Sequence, residues 1–178
     1  MAQATKKTKG KKAPAKDPGL LVSDRVEILD VRLITCRAEQ TPEAATDTPK
    51  TFDIQRDVSF ELDRNLKLVL VFVDFSLIAQ LKNIPKGDPI LQIQGKFLLT
   101  YRIRSFRGLS DAAFQQFSEM NGVYNAWPYW REFTQNTTSR MGIEPLTLPV
   151  FRIVSKQVRT SGSKKTVKKK KATSSSSD

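Results

Sequence analysis

Four stretches of the chain alternate between apolar and polar side chains, which is the period of a β-strand with one buried face. They are residues 26–35, 52–63, 66–79 and 90–106. The second alternates most cleanly, because one parity is apolar and the other, from Asp53 to Asp63, is acidic or polar. In the fourth stretch Gly95 interrupts the apolar parity, which predicts a bulge or a close backbone approach.

Residues 66–79 depart from simple alternation, because both parities are apolar. This pattern predicts a strand that is covered on both faces, whereas a small antiparallel sheet usually leaves one face in water. We expect the second cover to come from another subunit, so that the protein is oligomeric. The alternative is a helix or tail of the same chain folded over that face.

The stretch that follows the predicted strands has the period of a short helix. Its apolar stripe lies over residues 113–120. Ser110 is placed to cap the start of this helix, and the Asn121-Gly122 pair predicts its end.

A second helix is predicted over residues 128–141, with Pro128 in its first turn and Gly142 just beyond its end. Strands that precede helices predict an α+β fold, in which a four-stranded antiparallel sheet is followed by packed C-terminal helices. Residues 39–50, rich in threonine, proline and alanine, are predicted to form a mobile crossover loop.

The net charge of +12 is confined to the two ends of the chain. Residues 1–19 contribute +5 and residues 155–178 contribute +7, so residues 20–154 are neutral overall. Both ends are poor in large apolar side chains, which predicts disordered basic tails around one domain at residues 20–154. Their thirteen lysines make a nonspecific nucleic-acid- or ribosome-binding protein the alternative function, and an acidic lipid surface is a further partner for the tails.

The residue types restrict the chemistry. The chain has no histidine and one cysteine, Cys36, so zinc sites of His and Cys ligands and His-based nucleophile pairs are excluded. We therefore expect a protein that is not an enzyme and needs neither cofactor nor metal. A lone cysteine cannot form an intrachain disulfide, which favours a reducing, cytoplasmic location. Residues 1–19 contain no apolar h-region, so we do not expect them to act as a secretory signal. No apolar run reaches the ~20 residues that span a bilayer.

Residues 125–151, NAWPYWREFTQNTTSRMGIEPLTLPVF, resemble a segment of the SecB export-chaperone family. In that family an aromatic-proline-tyrosine start of the main helix is followed by an Arg-Glu pair, a Ser-Arg-Gly-type helix end, a proline and an extended Leu-Ala-Pro-like run. The matching residues here are Pro128, Tyr129, Arg131, Glu132, Ser139, Arg140, Gly142, Pro145, Leu146, Leu148, Pro149 and Phe151. With the preceding four-strand plan, the resemblance covers residues 25–152.

The resemblance implies a non-enzymatic chaperone, a holdase that binds unfolded preprotein clients in apolar grooves and keeps them soluble for export. It also implies a homotetramer, a dimer of dimers with the sheets and main helices at the subunit contacts. The client-binding groove is expected to include Trp127, Trp130, Leu146, Leu148, Val150 and Phe151. The alternative is that these rings pack in the core or in a subunit interface, a role we expect for Tyr129 and Phe133 in particular.

Two departures from the family concern its partners. SecB proteins pass clients to the SecA translocase motor through acidic patches on the sheet. Asp30 falls on one such position and is the predicted contact for a SecA-type motor, whereas Ile34 falls on another, and Lys82 and Lys86 lie in a loop where the family is acidic.

In the family an amphipathic helix follows the extended run and borders the groove. Residues 152–165 hold few apolar side chains, so we expect this helix to be shortened or absent.

Related SecB-like proteins control toxin–antitoxin pairs, which is a further role that the resemblance implies.

Overall fold

The computed structural model describes residues 17–82 and 87–152. Four strands are followed by a helical layer and an extended C-terminal segment at residues 144–152. The elements are α1 (Pro18–Ser23), β1 (Val26–Gln40), a 3-10 helix (Pro42–Ala45), β2 (Lys50–Asp63), β3 (Leu68–Leu81), β4 (Leu91–Ile103), α2 (Asp111–Phe117), a π-helical turn (Ser118–Gly122) and α3 (Val123–Arg140). The predicted α+β class is therefore confirmed.

The four strands form one antiparallel sheet in the order β1-β4-β3-β2. Each neighbouring pair is antiparallel, and β1 and β2 are the two edges. The connection from β1 to β2 therefore crosses from one edge of the sheet to the other, as the crossover prediction requires. It begins later than predicted, because β1 continues to Gln40 in register with β4, and it contains the 3-10 helix, whose Ala44 is buried.

The sheet has an inner face, which the helical layer covers, and an outer face. Alternate residues of β3 from Val69 to Ala79, and of β4 from Leu91 to Ile103, are buried on the inner face. No helix in the described part of the chain packs on the outer face, where the apolar side chains of Leu68, Leu70 and Phe72 are only half-buried. The sequence predicts that both faces of β3 are covered. Within the described residues, the helical layer covers the inner face, and the outer face has no cover.

The helical layer is continuous from Asp111 to Arg140, so the predicted helix end at Asn121-Gly122 is wrong. Gly122 lies against the sheet, where an added Cβ would stand 2.7 Å from the Cγ1 atom of Val71. The glycine thus permits close packing and does not end the helix. Since α3 begins at Val123, Pro128 lies in its interior and not in the first turn as predicted.

Both predicted helix caps are confirmed. The Ser110 side chain accepts a hydrogen bond from the Ala113 N–H at 3.3 Å. Gly142 follows α3 with φ +72°, a conformation that glycine adopts without strain, and its N–H bonds the Ser139 carbonyl at 3.2 Å.

The ordered structure extends further toward the N-terminus than the predicted domain boundary at residue 20. Pro18 and Gly19 belong to α1, and the Asp17 side chain caps this helix by accepting the Gly19 N–H at 3.0 Å. Val22 is buried, and α1 packs on α2. The remaining parts of both predicted tails, residues 1–16 and 153–178, lie outside the described residues.

Candidate functional site

The extended C-terminal segment, residues 144–152, is attached to α3 by three side chains of that helix. The Thr138 hydroxyl accepts the Leu146 N–H at 3.0 Å, Arg131 Nε donates to the Leu148 carbonyl at 2.7 Å, and Trp127 Nε1 donates to the Pro149 carbonyl at 2.8 Å. Positions 127, 131 and 138 share one side of a helix because their spacings are four and seven residues. The segment therefore runs antiparallel to α3.

Trp130 lies in the core between α3 and the sheet. Its ring is fully buried and stacks on Phe75, with the two centroids 5.3 Å apart. An added Cβ on Gly95 would stand 3.2 Å from the Trp130 ring. Gly95 is therefore approached by side chains and not by another backbone, and the bulges lie on the neighbouring strand β1, at Leu29 and Ile34.

Trp127 joins the core to the C-terminal segment. Its ring meets Phe75 edge-to-face at 5.6 Å and Phe151 at the same centroid distance. The Arg56 guanidinium, from β2, lies 5.1 Å from the centroid of the Phe151 ring. The segment is thus held between α3 and the inner face of β2 where the described chain ends.

Of the six predicted client-contacting residues, the structure leaves three with substantial surface. Val150 is 57% exposed, and Leu146 and Phe151 are half-buried. Trp127 keeps a narrow exposed rim, whereas Leu148 and Trp130 are buried. The burial of Trp130 and Leu148 corresponds to the alternative in which these side chains pack rather than bind.

Three cavities follow the C-terminal segment along α3 and beside β2. One, of about 260 Å³, is bordered mainly by Tyr124, Trp127, Val150 and Phe151. A smaller one of about 190 Å³ lies between Arg131 and Thr147. The third, of about 390 Å³, is lined by Phe52, Leu91, Ile143, Pro145 and Leu146, together with Thr48, Lys50, Thr138 and Glu144. We call these cavities together the C-terminal groove.

Two exposed aromatic residues of this groove, Phe52 and Tyr124, were not among the predicted client-contacting residues. Phe52 is the first apolar residue of the alternating 52–63 stretch, and its position at the start of a strand was the available signal that it lies beyond the helical cover. Tyr129 is 50% exposed, so its ring does not pack in the core, and its packing in a subunit interface stays a prediction, whereas Phe133 packs against Trp130.

The edge strand β1 carries a second apolar surface. Ile28, Leu29, Leu33 and Ile34 are each 40–44% exposed. Asp30, the predicted motor contact, pairs in register with Thr100 on the outer face, whereas Ile28 and Leu33 pair with the inner-face residues Tyr101 and Phe97. The Asp30 carboxylate pairs with Arg32 at 2.5 Å. Any partner that uses this carboxylate must therefore compete with Arg32.

The described residues contain no arrangement of titratable groups that is typical of catalysis. No cluster of three or more His, Cys, Asp or Glu side chains within residues 17–82 and 87–152 could hold a metal ion. Cys36 is exposed and forms no disulfide there. Burial raises the pKa of Tyr101 to about 12, and the hydrogen bond from Asn125 opposes this shift. Tyr101 packs on Phe117 in the core, so the shifted pKa reflects burial and not a reaction site.

The fold is that of a known chaperone structure. A SecB-like chaperone from Mycobacterium tuberculosis, solved in complex with a peptide from an antitoxin, matches with a TM-score of 0.65 at 19% identity. The match covers 75% of this chain and 96% of that chain. At this identity the likeness establishes the fold alone: the chain has a SecB-like fold, a four-stranded antiparallel sheet followed by a C-terminal helix.

A protein of unknown function from Streptococcus agalactiae is far less similar, with a TM-score of 0.35 at 13% identity. That match covers 70% of this chain and 96% of that chain. No protein-family model matches the chain, and no curated protein matches it significantly. Among the described residues, no helix is both long and apolar enough to cross a membrane.

Proposed function

We propose that this protein is a molecular chaperone, a holdase that binds unfolded polypeptides in the C-terminal groove and keeps them soluble. The observation that carries the proposal is the apolar surface along residues 144–152, where Val150 is exposed and Leu146 and Phe151 are half-buried, on a fold shared with a chaperone that was solved with a bound peptide. Binding of this kind needs no catalytic group and no cofactor.

The contacting surface consists of Phe52, Tyr124, Leu146, Val150 and Phe151, with the exposed rim of Trp127. Each large apolar side chain of a client that becomes buried there contributes about 1.5–3 kcal/mol, so several weak contacts hold a client without sequence specificity. Trp130 and Leu148 support this surface from beneath and are not part of it, because both are buried.

The assembly we propose is a homotetramer, a dimer of dimers, in a reducing cytoplasmic compartment. The exposed apolar side chains of β1 support subunit contacts at that edge, because an unpaired edge strand offers both backbone groups and apolar area to a second copy. The number four rests on the family resemblance.

Service in protein export, with a SecA-type motor contacting Asp30, is a finer proposal. The pairing of Asp30 with Arg32 makes this contact depend on breaking an existing ion pair. A role beside a toxin–antitoxin pair is the competing one, since the SecB-like chaperone of similar fold was solved with an antitoxin peptide. Client identity distinguishes the two roles.

The test compares two charge-introducing variants of the full chain in suppressing aggregation of a chemically unfolded protein. Val150→Asp puts a carboxylate beside Tyr124 and Phe151, whereas Leu66→Asp changes a residue that is 69% exposed in the β2–β3 hairpin. We expect Val150→Asp to reduce protection severalfold and Leu66→Asp to leave it unchanged. If both variants protect the client as well as the parent chain does, clients do not bind in the C-terminal groove.

The alternative function, nonspecific binding of nucleic acid or ribosomes, is favoured by the distribution of charge. The described residues hold 15 basic and 17 acidic side chains, whereas the rest of the chain holds 15 basic and one acidic. Neutralising Lys168, Lys169, Lys170 and Lys171 as glutamines should weaken such binding and flatten its salt dependence, and it should leave holdase activity intact if the groove is responsible. Loss of client protection in this variant would favour the tails as the active part.

A further inference from the structure

An acidic stripe occupies the outer face of edge strand β2. It consists of Asp53, Asp57, Glu61 and Asp63, which lie on one face because alternate residues of a strand share a face. None of these four carboxylates forms a salt bridge in the part of the chain that the structure describes. Asp53 and Asp63 accept only the Gln55 amide and the Leu66 N–H, so the stripe keeps its full negative charge.

The nearby arginines do not neutralise the stripe, since they lie against aromatic rings of the inner side. Arg56 lies over Phe151, and Arg64 lies over Phe106. Beside the stripe, a concavity of about 550 Å³ runs across the sheet, and its lining includes Asp57 and Asp74 together with the cations Arg37, Arg56 and Lys96. Arg37 pairs with Glu39 at 2.6 Å and Lys96 with Asp74 at 2.9 Å, so Asp57 is the carboxylate of this lining that has no cationic partner among the described residues. The outer face thus offers unpaired carboxylates and room for a chain to lie beside them.

The described chain ends next to this stripe. Phe151 contacts Arg56, and Asp57 is the next residue of β2, with its side chain on the opposite face of the same edge strand. A chain that continues from Arg152 needs only to pass around one strand to meet Asp57. No other strand separates the two faces there, because β2 pairs with β3 alone.

The C-terminal residues carry the complementary charge. Residues 164–171, KKTVKKKK, hold six lysines and no acidic residue. Twelve residues lead from Arg152 to Lys164, and a chain of that length spans at most about 40 Å. The stripe from Asp53 to Asp63 covers about 33 Å, and its centre lies near the point where the described chain ends. The N-terminal lysines are a poorer match, since the chain leads to them from α1, which packs on α2 in the helical layer.

We propose that residues 164–171 dock on the acidic stripe of β2 in the same chain, so that the protein holds its own lysine segment on the outer face of the sheet. Docked in this way, the segment is withheld from phosphate groups and other polyanions, and the outer face is withheld from basic partners. The proposal rests on charge and chain length and does not depend on the C-terminal groove being a client site.

Zero-length carbodiimide cross-linking of the full chain tests the proposal, because it joins lysines to carboxylates already in contact. Mass mapping of an equal mixture of isotopically labelled and unlabelled protein separates contacts within one chain from contacts between chains. At about 0.05 M salt we expect the main links to join residues 168–171 to Asp57 and Glu61 of the same chain. At about 1 M salt, where screening acts over about 3 Å, we expect these links to disappear.

Matched variants give a second measurement. Asp57→Asn with Glu61→Gln removes two charges from the stripe, and Glu119→Gln with Glu132→Gln removes two from the helical layer. We expect only the first pair to raise the affinity for a single-stranded oligodeoxythymidine, by about three- to tenfold at low salt, because the lysines are released. All four residues are on the surface or near it, and thermal unfolding checks that both variants fold.

Three outcomes would overturn the proposal. Links spread evenly over all exposed carboxylates would mean that the segment has no preferred site. Links found only between labelled and unlabelled chains would make the contact intermolecular. An equal change of affinity in both variant pairs would show a general effect of net charge. The aggregation assay with Val150→Asp is unaffected by any of these results, so failure of this inference is distinguishable from failure of the chaperone proposal.

Discussion

The hydroxyl of Thr138 connects the last turns of α3 to the extended C-terminal segment. It accepts the N–H of Leu146 at 3.0 Å and lies 3.0 Å from the Thr134 carbonyl, to which it donates. Thr138 is fully buried, so this bond is formed away from water. A single hydroxyl thereby sets where the segment begins to follow the helix.

Replacing Thr138 with valine should destabilise the protein by about 1–3 kcal/mol, because the change keeps the shape of the side chain but leaves the Leu146 N–H without its partner. The free energy of unfolding in urea measures the effect. We also expect weaker aggregation suppression, since the start of the segment is no longer fixed.

Thr134 supplies a matched control one turn earlier on the same helix. It is equally buried, but its hydroxyl has no hydrogen-bond partner among the described residues. Thr134→Val should therefore be neutral or slightly stabilising. Similar losses of stability in the two variants would contradict a specific role for the bond between Thr138 and Leu146.

Gly122→Ala should also destabilise the fold, because the new methyl group would meet Val71 at 2.7 Å. Overpacking of this kind costs about 1–3 kcal/mol, against which the better helix propensity of alanine offsets up to about 1 kcal/mol. Adding Val71→Ala removes the clash, so the double variant should lose less than the sum of the single changes. Additive losses in urea unfolding would mean that the helix shifts freely away from the sheet.

Gly122 also illustrates why part of the fold could not be predicted. Three of the strands follow from alternation and β3 from a continuous apolar run, and β2 was predicted within two residues of its start because its two parities differ so clearly. The Asn121-Gly122 pair has the composition of a helix end, but the contact with Val71 joins positions 51 residues apart. Local sequence cannot contain that contact. Helix α1 was missed because it is six residues long and buries little beyond Val22.

The candidate site was predictable in outline only. Residues 145–151 were predicted as an extended apolar run, and the structure places them beside α3. Which of the aromatic residues would be exposed depended on the sheet, because Trp130 is buried by stacking on Phe75 and by the space that Gly95 leaves. Those two residues belong to different strands, and helical periodicity cannot report how a sheet positions them.

Stability should fall at high pH because of Tyr101. Its pKa is about 12 in the folded protein, against an ordinary value of 10.0, since burial disfavours the phenolate. Between these values the unfolded chain loses the proton and the folded chain keeps it, so unfolding becomes more favourable as the pH rises. The contribution is complete below pH 10 and is lost progressively as the pH approaches 12, up to about 2–3 kcal/mol.

Tyr101→Phe tests this expectation, because it removes the titrating group and keeps the ring. The variant should lose stability less steeply than the parent chain between about pH 10 and 12. Tyr124→Phe is the matched control, since it removes a phenol that is 52% exposed and not buried as Tyr101 is. Parallel pH profiles for the parent chain and Tyr101→Phe would contradict the assignment to Tyr101.

Association of subunits should depend on the edge strand β1. Leu29 and Ile34 occupy its two bulges and are 44% and 42% exposed, so a lysine at either position can be accommodated without disturbing the core. Lysines on a strand edge oppose pairing with another strand, because a second copy would bury their charge. We therefore expect Leu29→Lys with Ile34→Lys to lower the mass in light scattering toward that of one 20.1 kDa chain. Leu66→Lys, on the distant hairpin, should keep the parent mass. If the parent chain already has the mass of one subunit, the proposed assembly is ruled out. If the double variant keeps the oligomeric mass of the parent, the subunit interface does not involve β1.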